Sequence, residues 1–244
     1  MVEEALARSF DGIGEEYDRF RPGFPRQAAD AVLPESVGAV LDLGAGTGKF
    51  TELLIDRAAR VIAVEPSAMM REVLRRKLPE VDGAPGTAED IPLESSSVDA
   101  VCVAQAFHWF DRDAASAEIA RVLVSGGTLG LIWNRADPAC AWDLACHRIA
   151  HPAVADVDDT AASADELPGF ELVAHTEVRW TEQITRADYL RRWGTVSSFL
   201  VAPAEERAAL FAALEAVLDG AEETRDREVL DLPHLTDVYR YRRA

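Results

Sequence analysis

The sequence has few cysteines, little positive charge and no long apolar run, and each shortage excludes a class of protein. Its three cysteines, Cys102, Cys140 and Cys146, form no C-x-x-C pair within the 244 residues. Such a sparse, odd set indicates reduced thiols and a cytoplasmic location. With 25 Lys+Arg against 43 Asp+Glu, the formal net charge is −18, which repels nucleic-acid phosphates and anionic lipids. We therefore expect neither a nucleic-acid partner nor a membrane partner.

Other absences narrow the choice further. No apolar run reaches the ~18 residues of a membrane-spanning helix. The acidic N-terminus, MVEEALARSF, lacks the basic flank and apolar centre of a signal peptide. No G-x-S-x-G motif supports a serine hydrolase, and we find no internal repeat. Hydrophobic residues make up 48% of the chain and charged residues 28%, a balance that can fill the core of a globular protein.

Apolar runs of strand length alternate with helical patterns between Val37 and Trp133. The runs are VGAVLDL, ARVIAVE, a weaker VDGAPG, VDAVCVA and GTLGLIW. They are apolar nearly throughout, as expected for strands buried on both faces of a parallel sheet. After the second run, Ser67 can cap a helix that Pro79 ends. This alternation predicts a doubly wound α/β sheet.

The rhythm of the sequence changes after Asn134. We predict a helix over 139–150, then a small, acidic loop with partial helix, then a strand at FELVAHTEVRW. Pro203 opens a strong helix with Glu205 and Glu206 in its first turn, and LTDVYRYRR closes the chain as a strand. The helices inserted before the last strand could cover a ligand, but they are too small to predict a separate domain.

The stretch VLDLGAGTGKFTELL, Val40–Leu54, predicts a ligand-binding turn between a strand and a helix. Its glycines permit positive φ and close approach of a ligand to the backbone. The spacing is G-x-G-x-G, and Lys49 stands where the pyrophosphate fingerprint has its third glycine. Glu65, at the end of the second strand, can accept hydrogen bonds from both ribose hydroxyls, and the letters AED after the third strand can meet an adenine edge. An adenosine without phosphates fits this set better than NAD, although Glu65 alone would suit either.

Four motifs in order, DLGAGTGKFT, AVEPSAMM, GTAEDIP and AQAFHWFD, resemble those of the class I S-adenosylmethionine-dependent methyltransferases. Together with FDGIGEEYDRFRPGFP near the front, they are similar to the branch that includes trans-aconitate methyltransferase. The resemblance implies a Rossmann-like, mostly parallel seven-stranded sheet in a single domain over 1–244. Its parts would be an N-terminal lid over 1–36, a cofactor-binding core over 37–135, and substrate-side helices with the last strands over 136–244. The implied reaction methylates a small molecule and converts S-adenosyl-L-methionine to S-adenosyl-L-homocysteine, in a monomer or homodimer.

The resemblance also assigns residues to the cofactor. Asp42 would order the glycine loop, Glu65 would hold the ribose hydroxyls, and Arg21 would pair with the cofactor carboxylate under a closed lid. Because Thr87 stands where the family commonly has an aspartate, the contact with the adenine edge rests on Glu89. The full implied set is Tyr17, Arg21, Asp42, Gly44, Ala45, Gly46, Gly48, Glu65, Pro66, Ser67, Met70, Ala88, Glu89, Ala104 and Gln105.

The acceptor side of the site follows the fourth and fifth strands. His108 is a candidate base, with an unperturbed pKa of about 6.5, or it shapes the pocket wall without proton chemistry. A carboxylate acceptor needs no base at neutral pH, whereas a phenol or hydroxyl needs one. The branch resemblance favours a carboxylic acid. The predicted acceptor-site residues are His108, Trp109, Trp133, Asn134 and Arg135.

The sequence raises three alternatives, of which the last two stay open. The letters HRIAH hold His147 and His151 with the spacing of a zinc pair on one helix. Because Arg148 replaces the glutamate of H-E-x-x-H and Pro152 ends the helix, we expect no metal. The glycine loop could instead serve an NAD-dependent oxidoreductase. A methyltransferase fold could also bind its cofactor without turnover, as a regulatory or assembly subunit.

Overall fold

The structure is a computed structural model that describes residues 14–151 and 167–244. These residues group into two compact units. The sheet unit consists of 23–134, 167–178 and 236–244, and the helical unit consists of 14–22, 135–151 and 179–235. The acidic loop predicted after His151 falls largely outside the described residues, as do the first thirteen residues of the predicted lid.

Seven strands form one sheet. They are β1 Val37–Leu43, β2 Ala58–Val64, β3 Asp82–Ala84, β4 Val98–Ala104, β5 Leu123–Ala136, β6 Phe170–Thr185 and β7 Val229–Arg243. Their order is β3-β2-β1-β4-β5-β7-β6, and β1 to β5 pair in parallel. The order reverses between β1 and β4, so ligands are expected at the carboxyl ends of these two strands. The predicted seven-stranded, mostly parallel α/β sheet is confirmed.

Helices flank these strands along the chain. They are α1 Gly14–Phe20, α2 Arg26–Val32, α3 Thr51–Leu54, α4 Ala68–Lys77, α5 Arg112–Val122, α6 Ala141–Ala150, α7 Arg186–Trp193, α8 Ser197–Val201 and α9 Ala204–Gly220. As predicted, the Ser67 hydroxyl caps α4 by accepting from Met70 N, and the helix ends before Pro79. α9 begins directly after Pro203, which is also as predicted.

Three predicted boundaries shift for local reasons. α6 begins two residues later than expected, because Asp137 accepts from the Ala139 and Cys140 amides and forms a turn there. The helix expected from Lys49 begins at Thr51. β7 begins earlier than LTDVYRYRR, because Leu230 and Leu232 continue an alternating buried pattern.

The sheet unit has two hydrophobic cores, one on each face of the sheet, and the helical unit has one. Successive β1 residues alternate between the two faces of the sheet, so Leu41 lies in one core of the sheet unit and Val40 in the other. The second of these cores also holds Cys102, whereas Cys140 and Cys146 lie in the core of the helical unit. No helix within 14–151 and 167–244 is long and apolar enough to cross a membrane.

The helical unit also contains a charged cluster. Arg192 binds both carboxylate oxygens of Glu182, at 2.7 and 2.8 Å, and His234 Nε2 lies 2.9 Å from the same carboxylate. Burial raises the pKa of Glu182, but the hydrogen bonds from His234 and Arg192 outweigh it and lower the pKa to about 2. Arg192 Nε also donates to the carbonyl of Phe20 at 2.7 Å. The cluster therefore links the end of α1 to α7, β6 and β7.

Candidate cofactor site and active site

The glycine loop after β1 has the backbone conformation that its sequence predicts. Gly44, Gly46 and Gly48 have φ values of +71°, +57° and +86°, the left-handed region that disfavours side chains. The Gly44 and Ala45 amides both donate to the carbonyl of Val64, at 2.8 and 3.1 Å. The loop is thus tied to the carboxyl end of β2.

The three glycines differ in what surrounds them. A Cβ on Gly44 would lie 2.7 Å from that of Ala106, and one on Gly48 would crowd Leu74 and Leu78. A Cβ on Gly46 would meet only Met70 Sδ, at 3.8 Å. Gly44 and Gly48 therefore serve internal packing, whereas Gly46 is the least crowded of the three, with only an ordinary van der Waals contact to Met70.

Glu65 connects this loop to the start of α4. Its Oε2 accepts from Gly46 N at 2.9 Å, and its Oε1 accepts from Ser67 N at 2.8 Å. The residue is 7% exposed. Arg71 Nη1 donates to the carbonyls of Glu65 and Pro66, both at 2.6 Å. The carboxylate is therefore held in place directly beside Gly46.

Asp42 lies beneath the loop, near the end of β1. It is 1% exposed and accepts a hydrogen bond from Thr51 Oγ1 at 2.6 Å. Burial raises its pKa from the ordinary 3.8 to about 7; the Thr51 hydrogen bond lowers it and the Glu65 charge raises it further. Asp42 therefore fixes the first turn of α3 and can gain or lose a proton near neutral pH.

The residues expected around the adenine differ in burial. Met70 and Ala88 are buried, at 8% and 3% exposure. Glu89 is exposed, and its Oε1 accepts from Asp111 N at 2.9 Å. The Glu89 carboxylate thus holds the segment after β4. Pro66 lies between Glu65 and Ser67, whose amide donates to the Glu65 carboxylate.

Gln105, directly after β4, has a φ of +55°, which is unusual for a residue with a side chain. Its Nε2 donates to the carbonyl of Asn134 at 2.8 Å. Asn134 Nδ2 donates to the carbonyl of Gly23 at 2.8 Å, and Asn134 Oδ1 accepts from Thr236 Oγ1 at 2.6 Å. These bonds join the residue after β4 and the end of β5 to the middle of β7. The strained Gln105 backbone leads into Ala106, which packs on Gly44.

His108 lies in a single 3-10 turn, Phe107–Trp109. The residue is exposed, yet partial burial of its imidazole lowers its pKa below the ordinary 6.5. A neutral imidazole at pH 7 can accept a proton. The Trp109 ring lies 4.9 Å from the His108 ring, and Trp109 is 41% exposed. The pair therefore presents an aromatic surface next to a potential base.

The other predicted acceptor-site residues are placed differently. Trp133 is 1% exposed and packs against Tyr239, so the structure places it in the core instead of an open wall. The reason is the strand alternation of β5, which turns Trp133 toward the same face as Tyr241. Asn134 is occupied by the hydrogen bonds just described. Arg135 is half-buried and follows in the helical unit.

Comparison with known proteins identifies the family. The sequence profile of a family described as a methyltransferase domain matches residues 41–131. An uncharacterised methyltransferase from Mycobacterium tuberculosis is 38% identical over 232 residues, covering 95% of this chain and 94% of the relative. This chain belongs to the class I S-adenosylmethionine-dependent methyltransferases. An uncharacterised methyltransferase from Schizosaccharomyces pombe is 31% identical over 242 residues, covering 96% of both chains.

A solved structure agrees with this assignment. A candidate type II methyltransferase from Anaeromyxobacter dehalogenans superposes with a TM-score of 0.68 at 27% identity, covering 91% of this methyltransferase and 97% of the other chain. The class I resemblance stated from the motifs is confirmed. The finer resemblance to the trans-aconitate branch stays a prediction. The family argues against the NAD-dependent alternative.

In the helical unit of the methyltransferase, Arg21 follows α1. Its Nη2 donates to the carbonyl of Thr195 at 3.0 Å. The side chain of Tyr17 lies outside the described part of the structure, although its backbone belongs to α1. The predicted closure of Arg21 over the cofactor carboxylate stays a prediction.

Within the described residues no group of three His, Cys, Asp or Glu side chains could hold a metal ion.

Sequence reasoning missed several residues that shape the site of the methyltransferase. Thr51 binds Asp42, Arg71 holds the carbonyls around Glu65, and Thr236 binds Asn134. The contact between Thr51 and Asp42 could have been predicted, because a buried aspartate needs a hydrogen-bond donor and Thr51 begins the next helix. The contact between Thr236 and Asn134 joins segments far apart in the chain, and no local pattern signals it.

Proposed function

We propose that this methyltransferase binds S-adenosylmethionine at the glycine loop and transfers its methyl group to a small molecule, leaving S-adenosylhomocysteine. A carboxylic acid is favoured as acceptor over a phenol or hydroxyl. The observation that carries the proposal is the Glu65 carboxylate, buried and fixed beside Gly46. That arrangement suits a nucleoside whose ribose lies against the loop.

The residues present fit an adenosine ligand. An ionised carboxylate has about four acceptor sites, and the described backbone bonds to Gly46 and Ser67 use one on each Glu65 oxygen. A buried carboxylate fixed in this way is a group to which two vicinal ribose hydroxyls can donate. Gly46 is the least crowded glycine of the loop, so it is the position at which we expect the sugar to approach the backbone.

S-adenosylmethionine, when bound, supplies a methyl group already activated by a positively charged sulfur. The contribution of the protein is then mainly orientation. The Gly44–Gly48 loop fixes the near side of the ligand. Gln105, held by Asn134 at 2.8 Å, fixes the backbone that follows β4.

The acceptor decides what His108 does. A carboxylate is already deprotonated at pH 7, so His108 would only shape the wall next to Trp109. A phenol or hydroxyl must lose a proton, and the lowered pKa of His108 keeps its imidazole neutral and able to take that proton. In the second case the acceptor oxygen loses its proton to the ring as it gains the methyl group.

Calorimetry with S-adenosylhomocysteine tests cofactor binding. Replacing Glu65 with alanine should weaken binding by about 2–3 kcal/mol, the scale of hydrogen bonds to a charged group. The matched control is Glu35→Ala, because Glu35 is exposed just before the amino end of β1. Thermal unfolding of both variants checks that the loop still folds. Tight binding of NAD in preference to S-adenosylhomocysteine would refute the proposal.

Turnover is tested separately with labelled S-adenosylmethionine and a panel of small acids, phenols and alcohols. Transfer of label to an acid supports the favoured acceptor class. Cofactor binding without transfer to any panel member would favour the alternative of a non-catalytic cofactor-binding subunit. Transfer to nitrogen, to carbon or to a macromolecule would refute the acceptor class.

A further inference from the structure

A short segment of the sheet unit after β4 carries two of the predicted acceptor-site residues on an exposed turn. His108 and Trp109 lie in the 3-10 turn Phe107–Trp109, and both are exposed. Phe107 is 3% exposed and packs in a core of the sheet unit. The Trp109 amide donates to the carbonyl of Ala106 at 2.9 Å, which closes the turn. Where the two exposed rings lie therefore depends on what holds the two ends of the turn.

The first end of the turn is held by the glycine loop. Ala106 lies so close to Gly44 that a Cβ on this glycine would be 2.7 Å from the Cβ of Ala106. The Phe110 ring lies against the same glycine, 3.3 Å from such a Cβ. Phe110 also packs edge-on against Phe107, with 5.8 Å between the ring centroids. The turn is thus seated on the first glycine of the loop.

The second end of the turn is held by Glu89, in the connection between β3 and β4. Its Oε1 accepts from the amide of Asp111 at 2.9 Å. Asp111 is the N-cap of α5, and its own carboxylate accepts from Ala114 N at 3.0 Å. Glu89 and Asp111 both belong to the sheet unit. One side chain therefore fixes the backbone at the point where the turn ends and the helix begins.

Helix capping alone does not account for the bond between Glu89 and Asp111. In a capping box, the third residue of the helix supplies the carboxylate that accepts from the N-cap amide. In α5 this third residue is Ala114, and Glu89 supplies the acceptor from 22 residues away. A glutamate at position 114 would satisfy the same amide from within the helix. The long-range bond achieves more than a local one, because it ties the turn to the segment that follows β3.

We propose that Glu89 is a positioning residue for methyl transfer, which holds the turn bearing His108 and Trp109 at the acceptor side of the site. This inference rests on the proposed function, since it takes these two side chains as the wall that the acceptor meets. Glu89 is expected at the adenine edge, and the bond to Asp111 gives it a second role. Glu89 acts through the backbone of Asp111, so no covalent bond forms or breaks at its carboxylate.

Two substitutions separate this hydrogen bond from the charge of Glu89. Glu89→Gln removes the charge but keeps an oxygen that can accept from Asp111 N, whereas Glu89→Ala removes both. Glu94→Ala is the matched control, because Glu94 is exposed in the same connection between β3 and β4. All three variants should unfold close to the wild-type temperature, since both glutamates are exposed. If Glu89→Ala unfolds early, Glu89→Leu replaces it, because leucine fills similar space without an acceptor.

Fluorine nuclear magnetic resonance of the full chain labelled with 5-fluorotryptophan reports on the turn directly. Trp109 is one of five tryptophans, and Trp109→Phe assigns its signal. The signal of Trp109 should shift or broaden in Glu89→Ala, and it should keep its wild-type position in Glu89→Gln and Glu94→Ala. An unchanged Trp109 signal in Glu89→Ala overturns the inference, and so does the same change in Glu89→Gln.

The pKa of His108 provides a second readout, which a loss of fold stability alone would not move. Partial burial lowers this pKa in the wild-type protein. A turn that loosens exposes the ring, so the pKa of His108 should rise toward 6.5 in Glu89→Ala. It should stay lowered in Glu89→Gln, which has lost the same charge. Titration of the histidine ring protons measures it, and an equal change in both variants overturns the inference, because the charge would then be responsible.

Turnover connects the placement of the turn to methyl transfer. With the panel member that takes label from S-adenosylmethionine, Glu89→Ala should lower turnover about tenfold, the scale of one charge-assisted hydrogen bond. Glu89→Gln should stay within about twofold of the wild type. If the wild-type protein neither binds S-adenosylhomocysteine nor transfers label, the proposed function fails, and the two spectroscopic measurements still test Glu89 because they need no cofactor. If label is transferred but Glu89→Ala loses no more turnover than Glu94→Ala, only the positioning role fails.

Discussion

Replacing Asp42 with asparagine should stabilise this methyltransferase above neutral pH. Asparagine keeps an oxygen that can accept from Thr51 Oγ1, which lies 2.6 Å from the Asp42 carboxylate. It removes only the negative charge, which is costly in a side chain that is 1% exposed. The variant therefore isolates the charge of Asp42 from its packing.

The magnitude follows from the pKa of Asp42. Burial raises that pKa from 3.8 to about 7. Between these pH values the folded protein keeps a proton that the unfolded chain has lost, so the free energy of unfolding falls as pH rises. At about 1.4 kcal/mol per pH unit, the full interval is worth about 4 kcal/mol. The stability difference between variant and wild type should thus be near zero at pH 4 and approach that size at pH 8.

Urea unfolding at a series of pH values measures this difference. Asp90→Asn, a change at an exposed aspartate, controls for the loss of one negative charge. Because the family resemblance implies that Asp42 orders the glycine loop, the Asp42 variant should also bind S-adenosylhomocysteine more weakly. A variant less stable than wild type at pH 8, or a difference that does not change with pH, would refute the reasoning.

Three further predictions address other parts of the site. His108→Gln should lower turnover of a hydroxyl acceptor by ~10²–10⁴-fold and leave turnover of an acid acceptor nearly unchanged. A similar loss of turnover with both acceptor classes would contradict His108 as a base and as a wall of the pocket. Asn134→Ala removes hydrogen bonds to Gly23 and Thr236, so it should reduce the free energy of unfolding by about 1–3 kcal/mol in urea; an unchanged midpoint would contradict this. Proteolysis within the predicted lid, near 12–26, should slow when S-adenosylhomocysteine is added, and equal rates would argue against a lid.

The sheet and the glycine loop could be predicted because their causes are local. β1 and β4 are buried on both faces, and this shows in the sequence as apolar runs such as VDAVCVA. The loop needs positive φ at fixed positions, and glycine supplies it at Gly44, Gly46 and Gly48. Each of these features is written within about ten neighbouring residues.

The remaining features depend on residues that only the fold brings together. Nothing in the sequence around Gln105 signals its positive φ. That conformation accompanies the hydrogen bond to the Asn134 carbonyl and the packing of Ala106 on Gly44, which involve distant residues. Trp133 is the last residue of an apolar run and is predicted from the sequence to form a pocket wall, but the alternation of β5 turns it into the core. Similarly, Glu182 meets His234 only where β6 and β7 are adjacent. Long-range pairing of this kind leaves no periodic trace in the sequence.

The distribution of thiols gives the protein a built-in reporter of local opening. Cys102 is in the sheet unit, whereas Cys140 and Cys146 are in the helical unit, and all three are buried. Burial raises the pKa of all three thiols, to about 11 for Cys140 and Cys146, so little reactive thiolate forms in the folded state. An alkylating reagent therefore modifies each cysteine only when the surrounding structure opens. Mass spectrometry of the alkylated peptides would time the opening of the two units separately, without an introduced label.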